Sequence, residues 1–519
     1  MKIDNSCFGK RTNETIRQLR IKLLIETVIH LKPTQVVYQI LDKVSKHKLI
    51  ATVAPSIKEG VRIIEPIAKY HCCDGNDFTF LNIKDDFRGW NDTSHGMLWT
   101  YNLNYMDWLG QDSINTEEGE KWIDRFIEDL PGNRVGLEPY PTALRINNWV
   151  KFLVRYPECA TTERLNALYS QVLLLGKKLE YKLMGNHLLE DAFSLYMASI
   201  FFNDEQLYKK AAKLLRGQLR EQILPDGAHY EQSPMYHCIL LDRLLDCINF
   251  SSNTDDEDYR DFLKDVAMKM LGHLESVIWE DGSIPLLNDS AYDVAPNTEQ
   301  IFDYARRLGL TWKPIPLKEC GYRKLKRGTI EAIVDVGNMT ASYQPAHSHA
   351  DTFNYELRVN GQPFVVDSGI STYEDNGDRR YERSTKAHNT VSVNERDSSH
   401  VWKAFRVGKR AQVKLIKDTP DVIIAEHDGF GRNGTHQRLF SWDDEGNLCI
   451  EDFVAPETTA ISYIHLAPGI KALPIAIEGA TNVEVLRQKV SFRYNQKEDA
   501  DVYAISFKGH LKYSIPGTA

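Results

Sequence analysis

Two different spacings of hydrophobic residues divide the chain. From about residue 95 to 312, apolar residues recur every three or four positions, in stretches such as WIDRFIEDL and ALRINNWVKFLVRY, which predicts amphipathic helices. After KECGYRKLKRGTI, apolar and polar residues alternate, as in IEAIVDVG and NYELRVNGQPFVVDSG, which predicts β-strands. The pattern therefore predicts a helical half followed by a β half.

The breaks between the predicted elements indicate how each half is arranged. Short breaks such as LPDGAHYEQSP join the helices, which is typical of a helical solenoid or a closed α/α toroid, and no sequence repeat decides between the two. Asn360-Gly361 is a two-residue hairpin signal, and successive strands without helices favour an antiparallel sandwich. We expect an N-terminal segment at 1–90, a helical domain at 91–318 and a β-sandwich at 325–519, with a ligand cleft between the halves.

Composition narrows the class of protein. The chain has 519 residues and a formal net charge of -9, which fits a globular protein of two or three domains and argues against a general nucleic-acid binder. No apolar run is long enough for a membrane span, and the N-terminus lacks a signal-peptide pattern. We expect a cytoplasmic location, or a periplasmic one if an export signal has been removed, and no organic cofactor. The oligomeric state stays open.

The stretch YQPAHSHADTFNYELRVNGQPFVVDSG contains two histidines one residue apart. Positions two apart share a face of a strand, so His347 and His349 point the same way. Asp367 ends the return strand of the hairpin and His388 begins a later one, so both can lie nearby. Such a set suits zinc or a similar divalent ion; the alternative is polar decoration of a strand.

Two stretches in the helical half contain further candidates. In KLMGNHLLEDAF, His187 and Glu190 lie one helical turn apart with Asn186 beside them, although Asn and His at this point also fit a helix cap. In EQSPMYH, Ser233 followed by proline predicts a helix start. Tyr236 then falls in the first turn, where it either faces a cleft or packs with a hydrated hydroxyl.

The segment DRRYERSTKAHNTVSVNERDSSHVWKAFRVGKR is basic for a net-acidic protein. It is either a solvated loop with local ion pairs or a positively charged wall for an acidic substrate, because arginine matches the geometry of carboxylate and sulfate groups. Aromatic residues lie in and near it, among them Tyr373, Tyr381, Trp402 and Phe405, and they favour a charged polysaccharide over a nucleic acid. Tyr381 and Arg383 are candidate substrate-binding residues.

Four blocks together resemble a known family. GNHLLE, EQSPMYH, HSHADTFNYELRVNGQPFVVDSG and RRYERSTKAHNTVSV, in this order, resemble the heparinase II/III-like polysaccharide lyases over roughly residues 95 to 450. HLKPTQVVYQI and LWTYNLNYMDWL are similar to family members found with bacterial exopolysaccharide genes. The resemblance implies an α+β multidomain fold, with an N-terminal incomplete (α/α) toroid followed by a C-terminal antiparallel β-sandwich.

The resemblance also implies β-elimination in a glycan that contains uronic acid, giving a 4,5-unsaturated product. Such a reaction needs a neutralised uronate carboxylate, a base for the C5 proton and an acid for the departing O4. By likeness, Asn186 and His187 hold the carboxylate and Glu190 supports them at the substrate. Tyr236 is the acid and a candidate base, and His347 is a second base candidate.

The likeness assigns the remaining site residues a structural role. His349, Asp367 and His388 would coordinate one structural divalent metal, zinc, that fixes the loops carrying His347. Tyr373 and Tyr381 are both candidates for a second active-site tyrosine of the family.

Three other functions compete with a lyase. A toroid glycoside hydrolase would need two carboxylic acids, for which Glu190, Asp226 and Glu231 are available. A metal-dependent deacetylase or hydrolase would use the His/Asp set to activate water. A non-catalytic protein of exopolysaccharide assembly would only bind acidic glycan. The sequence does not identify the glycan, which is glycosaminoglycan-like or a bacterial exopolysaccharide.

Overall fold

The computed structural model describes residues 18, 20–44, 47–471 and 476–517. Helices predominate up to Arg307 and strands from Tyr322 onward, as the two hydrophobic spacings predict. After a helical turn region at 20–28, the helices are α1 (Pro33–Val44), α2 (Met97–Tyr105), α3 (Thr116–Asp129), α4 (Pro139–Arg155), α5 (Thr162–Lys177), α6 (Gly185–Phe201), α7 (Glu205–Gln222), α8 (Pro234–Ser251), α9 (Glu257–Val277), α10 (Thr298–Arg307) and α11 (Gly377–Glu382).

Helix α6 is the centre of the helical half. Nearly every residue of its sequence, GNHLLEDAFSLYMASIF, is buried, including Asn186, Glu190 and Asp191, which is typical of a helix surrounded by other helices. It packs against α4, α7 and α8. Outer helices are amphipathic instead: α3 buries Trp122 and Phe126 and leaves its acidic residues toward solvent. Among the described residues, no helix is both long and apolar enough to cross a membrane.

The β half contains two large antiparallel sheets that face each other and one short two-stranded sheet. One has the order β4-β5-β6-β7, and the larger has the order β11-β12-β13-β14-β17-β15-β8, with β16 paired to β17. Apolar residues from both sheets, including Leu357 and Phe440, form one core, so the half is a sandwich. The strands are β4 (Tyr322–Arg327), β5 (Ile330–Asp335), β6 (Tyr355–Val359), β7 (Gln362–Val365), β8 (Val391–Val393), β9 (Val401–Trp402), β10 (Arg406–Val407), β11 (Val413–Asp418), β12 (Val422–His427), β13 (His436–Trp442), β14 (Leu448–Phe453), β15 (Thr459–His465), β16 (Ile477–Arg493) and β17 (Gln496–Ile515).

The hairpin predicted at Asn360-Gly361 is confirmed. These two residues join β6 to β7, and both have positive φ, 52° and 73°. Two consecutive residues with positive φ are what a type I′ turn requires, and asparagine and glycine tolerate that region best.

The N-terminal segment contributes α1 and a small sheet of β1 (Cys73–Asp74), β2 (Asp77–Phe80) and β3 (Ile83–Asp86). It contacts both halves. Asp42 forms an ion pair with Lys182 of the helical half at 2.8 Å, and the Glu26 carboxylate lies 2.7 Å from the ring of His400 in the β half. The outer ends of the predicted segments 1–90 and 325–519, at 1–17 and 518–519, lie outside the described residues, and the domain boundaries stay predictions.

Buried hydrogen bonds join the two halves next to the start of α8. The Leu286 amide, in the loop between α9 and α10, donates to Glu356 on β6 at 2.7 Å. Gln232, just before α8, donates to the Cys320 carbonyl at 2.7 Å. These contacts hold the first turn of α8 beside the loops of the sandwich.

Candidate active site

A cleft of about 200 Å³ opens where the two halves meet. Tyr105, Tyr140 and Tyr236 line it from the helical half, and Tyr373 and Tyr494 line it from the β half. The location agrees with the expected cleft between the halves, and its aromatic walls suit the faces of sugar rings.

Tyr236 lies in the first turn of α8, as the Ser233-Pro234 signal predicts. The Ser233 hydroxyl accepts a hydrogen bond from the Tyr236 amide at 3.1 Å, the geometry of an N-cap. The Tyr236 hydroxyl lies 3.4 Å from that of Tyr373. Burial raises the pKa of Tyr236 well above its usual value, so the free protein holds this phenol in its protonated form.

His347 lies against Tyr236, with ring centroids 4.0 Å apart. Its Nε2 atom is 3.2 Å from Nδ2 of Asn186, which is the second residue of α6. The structure therefore brings together three of the four predicted catalytic residues, although 161 positions separate Asn186 from His347. Asn186 is not a helix cap: the N-cap position is Met184, without a side-chain hydrogen bond.

Glu231 completes this group and was not predicted as part of it. Its carboxylate accepts from the backbone amide of Asn186 at 2.8 Å and from the side-chain amide at 3.0 Å, and it lies 3.4 Å from Nε2 of His347. The sequence pointed to Glu231 only as one of the carboxylates available to a glycoside hydrolase.

His187 and Glu190 diverge from Asn186. His187 packs on Tyr140 with ring centroids 4.5 Å apart. Burial lowers its pKa, but Glu180, 2.9 Å away, outweighs that effect and raises it. Glu190 is fully buried and 3.9 Å from Arg243, and burial raises its pKa to about 7. Neither residue is among those that line the cleft, and the same holds for Asn186 and His347, so substrate contact stays a prediction for all four.

The two predicted substrate-binding residues of the basic segment do not line the cleft either. Arg383 is buried and donates to the carbonyls of Ser348 and Lys403, so its donors hold backbone instead of facing a ligand. Tyr381 lies under Lys386, whose ammonium is 5.5 Å from the ring. Tyr373 lies closer to the predicted catalytic residues, since its hydroxyl is 3.4 Å from that of Tyr236. The Arg379 guanidinium lies 4.9 Å from the Tyr373 ring.

Asp289 joins the two halves of the site and was missed by sequence reasoning. It lies in the irregular loop between α9 and α10 and is fully buried. Its carboxylate contacts His347 at 2.9 Å, His349 at 2.8 Å and the forked guanidinium of Arg379. Burial alone would raise its pKa, but Arg379 and the two histidines hold it well below the usual value. Nothing in LLNDS distinguishes this aspartate from a loop residue.

The predicted metal ligands are buried close to one another. His388 Nδ1 lies 2.8 Å from Asp367, and the rings of His349 and His388 are 5.2 Å apart. Nδ1 of His349 and Nε2 of His388 are buried without a hydrogen-bond partner, which is unusual for imidazole nitrogens. Two unused nitrogens and a carboxylate are donor types that zinc binds. Both Asp367 oxygens already accept hydrogen bonds, however, one from the Gly369 amide and the other from His388 and Asn354. The ligand atoms of the three predicted residues do not all lie within 4.8 Å of one another.

A second candidate set lies where the helical half meets the start of the β half. Within the part of the chain that the structure describes, Asp226, His273 and Cys320 form the group of three whose ligand atoms all lie within 4.8 Å of one another. All three are buried. The Asp226 carboxylate already accepts the amides of Lys318 and Cys320 at 3.0 and 2.9 Å, so hydrogen bonds account for much of this cluster.

Comparisons with known proteins agree with the fold. The family model for the heparinase II/III N-terminus matches residues 153–306, and the model "Heparinase II/III-like, C-terminal" matches 310–516. A heparin-sulfate lyase of Bacteroides stercoris is 21% identical in an alignment of 435 positions that covers 74% of this chain and 61% of the relative. One of Pedobacter heparinus is 22% identical over 333 residues, 58% and 48% of the two chains. These matches span less than two thirds of the relatives' lengths.

Two solved structures show the same architecture. A crystal structure of heparinase III superposes with a TM-score of 0.62 at 16% identity, over 81% of this chain and 76% of the other. The heparan sulfate lyase of Pedobacter heparinus gives 0.54 at 14% identity, over 93% and 87%. The predicted fold class, an incomplete (α/α) toroid followed by an antiparallel β-sandwich, is confirmed.

Proposed function

Because the chain belongs to the heparinase II/III-like family, we propose that it is a polysaccharide lyase that cleaves a uronic-acid-containing acidic glycan by β-elimination. The observation that carries this proposal is the contact between Tyr236, which lines the interdomain cleft, and His347, whose ring lies 4.0 Å from that of Tyr236. Nε2 of His347 is in turn 3.2 Å from the Asn186 amide. The relatives' names, heparin-sulfate lyase, support the same reaction class.

Each step of the elimination is assigned to different residues of the site. Asn186 and His187 hydrogen-bond the uronate carboxylate and so stabilise the negative charge that develops when C5 loses its proton. His347 takes that proton at Nε2. Tyr236, protonated at rest because burial raises its pKa, donates to the departing O4. The C4–O4 bond breaks as the C4–C5 double bond forms.

The hydrolase alternative is less compatible with the geometry. Of the carboxylates that it would use, Glu190 is fully buried beside Arg243, and Asp226 accepts the amides of Lys318 and Cys320. Glu231 remains, but a glycoside hydrolase needs a pair of acids flanking the bond.

The test is ultraviolet absorbance during incubation with a panel of uronate polysaccharides, both glycosaminoglycans and bacterial exopolysaccharides. Elimination creates a conjugated double bond that absorbs, whereas hydrolysis and binding do not. Tyr236→Phe should reduce the rate at least about 100-fold, the usual contribution of a general acid. Tyr513→Phe is the control, because the hydrogen bonds assigned to this hydroxyl go to Tyr355 and Ser462 in the sandwich core.

Other outcomes of this assay would identify the alternatives. Chain shortening without absorbance would indicate a hydrolase. Binding of acidic glycan without shortening or absorbance would indicate a non-catalytic protein of exopolysaccharide assembly. Unchanged turnover in Tyr236→Phe would remove that residue from the mechanism and leave the reaction class standing.

The same proposal includes one structural divalent ion, zinc, held by His349, Asp367 and His388. The unpartnered nitrogens of the two histidines support it. A bound zinc would supply a fixed positive charge that holds the loops of the sandwich together, and it is not the catalyst.

Metal analysis of three proteins tests this site. The wild type should contain about one zinc per chain, and Cys320→Ser should contain the same amount. His388→Ala should contain almost no zinc and should unfold at a lower temperature. Loss of metal in Cys320→Ser but not in His388→Ala would place the ion at Asp226, His273 and Cys320. Immediate loss of turnover on chelation, with the fold intact, would favour a metal-dependent hydrolase.

A further inference from the structure

One buried carboxylate contacts both histidines of the His-x-His pair. Oδ2 of Asp289 lies 2.9 Å from Nδ1 of His347, and Oδ1 lies 2.8 Å from Nε2 of His349. Arg379 donates to both oxygens, and the backbone amide of Asp289 donates to the His347 carbonyl at 3.2 Å. The carboxylate is thus fixed from several directions.

The loop that carries Asp289 is held rigidly as well. The Ser233 hydroxyl, which caps the helix of Tyr236, donates to the Asp289 carbonyl at 2.7 Å. The adjacent Asn288 has a positive φ of 55° and donates to the Gln232 carbonyl at 3.1 Å. Asp289 is therefore positioned against the helix start that presents Tyr236.

Hydrogen-bond chemistry determines the protonation of His347. An ionised carboxylate only accepts, so Nδ1 of His347 carries the proton that Asp289 receives. On the other side, the Asn186 amide group is oriented by Glu231, since Nδ2 must face that carboxylate at 3.0 Å. The same Nδ2 donates to Nε2 of His347 at 3.2 Å. Glu231 lies 3.4 Å from the same Nε2, but the hydrogen bond assigned to this nitrogen is the one from Asn186. Nε2 is therefore the unprotonated nitrogen, and it faces Asn186.

The same reasoning gives His349 the opposite tautomer. Its Nε2 faces Asp289 at 2.8 Å and carries the proton. Its Nδ1 is buried without a partner, which leaves that nitrogen free to bind a cation. Two histidines on the same stretch thus turn different nitrogens toward one acid, which gives them different chemical roles.

We propose that Asp289 is the positioning residue that sets opposite tautomers in His347 and His349. The role of His347 as a base rests on the proposed function, whereas the tautomers themselves do not. A histidine held by a carboxylate keeps its basic nitrogen aimed at the reacting atom, and loss of such a partner costs about 10- to 100-fold in activity.

Asp452 provides a matched control. It is buried in the sandwich, 2.8 Å from Nε2 of His436, and it also accepts a forked pair of bonds from Arg438. It has the same type of partners as Asp289, but the hydrogen bonds assigned to it go to His436, Arg438 and Ser462 of the sandwich and not to His347. Aspartate-to-asparagine substitutions at the two positions remove the same chemistry at different places.

The first experiment measures tautomers in the wild-type protein and needs no substrate. Two-bond ¹H–¹⁵N correlations with ¹⁵N-labelled histidine distinguish the two forms, and His347→Gln and His349→Gln assign the signals. We expect the proton on Nδ1 in His347 and on Nε2 in His349. A proton on Nε2 of His347, or the same tautomer in both, would overturn the proposal even if Asp289→Asn failed to fold.

The second experiment is kinetic. Asp289→Asn should lower kcat about 10- to 100-fold with little change in KM. The substrate-binding groups remain in this variant, whereas His347 loses the carboxylate that orients its ring. Asp452→Asn should keep the wild-type kcat. Equal kcat in wild type and a folded Asp289→Asn would overturn the proposal. Failure of the wild type to cleave any uronate glycan would instead count against the proposed function, while the tautomer measurement would still decide this inference.

Discussion

At the residue scale, a chain of neutral histidines lies in the sandwich. The Gly429 amide donates to Nδ1 of His427 at 3.1 Å, so its Nε2 must donate onward to Nδ1 of His436, also at 3.1 Å. His436 then donates to Asp452. Burial, with the adjacent imidazole and Arg438, lowers the pKa of His427 well below its usual value. The folded protein therefore keeps His427 uncharged at mildly acidic pH.

The buried histidines predict that acid lowers the free energy of unfolding. Above about pH 6.5 neither the folded nor the unfolded His427 binds a proton, so the histidine makes no difference to stability. Below that pH only the unfolded state takes one up, and the free energy of unfolding falls by up to about 1.4 kcal/mol per pH unit for such a histidine. Urea unfolding at pH 6.5 and at pH 5.5 measures the free energy of unfolding that is lost between these two pH values. This loss should be smaller by about 1 kcal/mol in His427→Gln than in the wild type. An identical loss in both proteins would contradict this.

At the element scale, short sequence motifs correctly predicted a helix start and a turn that depend only on neighbouring residues. Ser233-Pro234 predicted the start of α8 because a serine cap and a proline both act within one turn. Asn360-Gly361 predicted the β6–β7 turn because two positive φ angles are needed there. Such signals need no knowledge of the rest of the fold.

Other elements depend on distant partners and were not predictable in this way. Strands β16 and β17 are the longest of the described chain, and neither was predicted. β16 is exposed along much of its length and therefore lacks a clear apolar face. In β17, buried and less buried residues do alternate from Ala500 onward, so its sequence contained a strand signal that was missed. The Asp289 loop has neither helix nor strand. Its importance comes from His347 and Arg379, which are 58 and 90 positions away.

At the scale of the whole molecule, the candidate site requires both halves. Asn186 and Tyr236 come from the toroid, whereas His347 and Tyr373 come from the β half. The resemblance in four sequence blocks predicted this combination and the fold. It did not predict Glu231, Asp289 or Arg379, because the hydrogen bonds that bring them to the site join residues far apart in the sequence.

The junction between the halves offers a test of their dependence on each other. Glu356 on β6 accepts the buried Leu286 amide at 2.7 Å, and Leu286 lies in the loop that carries Asp289. Burial raises the pKa of Glu356 to about 8, so its side chain is mostly uncharged at neutral pH and glutamine is a close substitute. Glu356→Ala leaves a buried amide without an acceptor, which costs about 1–3 kcal/mol.

Calorimetry should therefore show one unfolding transition in the wild type and in Glu356→Gln, since both keep the junction hydrogen bond. Glu356→Ala should unfold at a lower temperature, with the transitions of the toroid and the sandwich separating. It should also lose part of its kcat, because the released loop positions Asp289 and, through it, His347. Two separate transitions in the wild type would contradict the dependence, and so would full activity of Glu356→Ala. In either case the site would be held by contacts other than this junction.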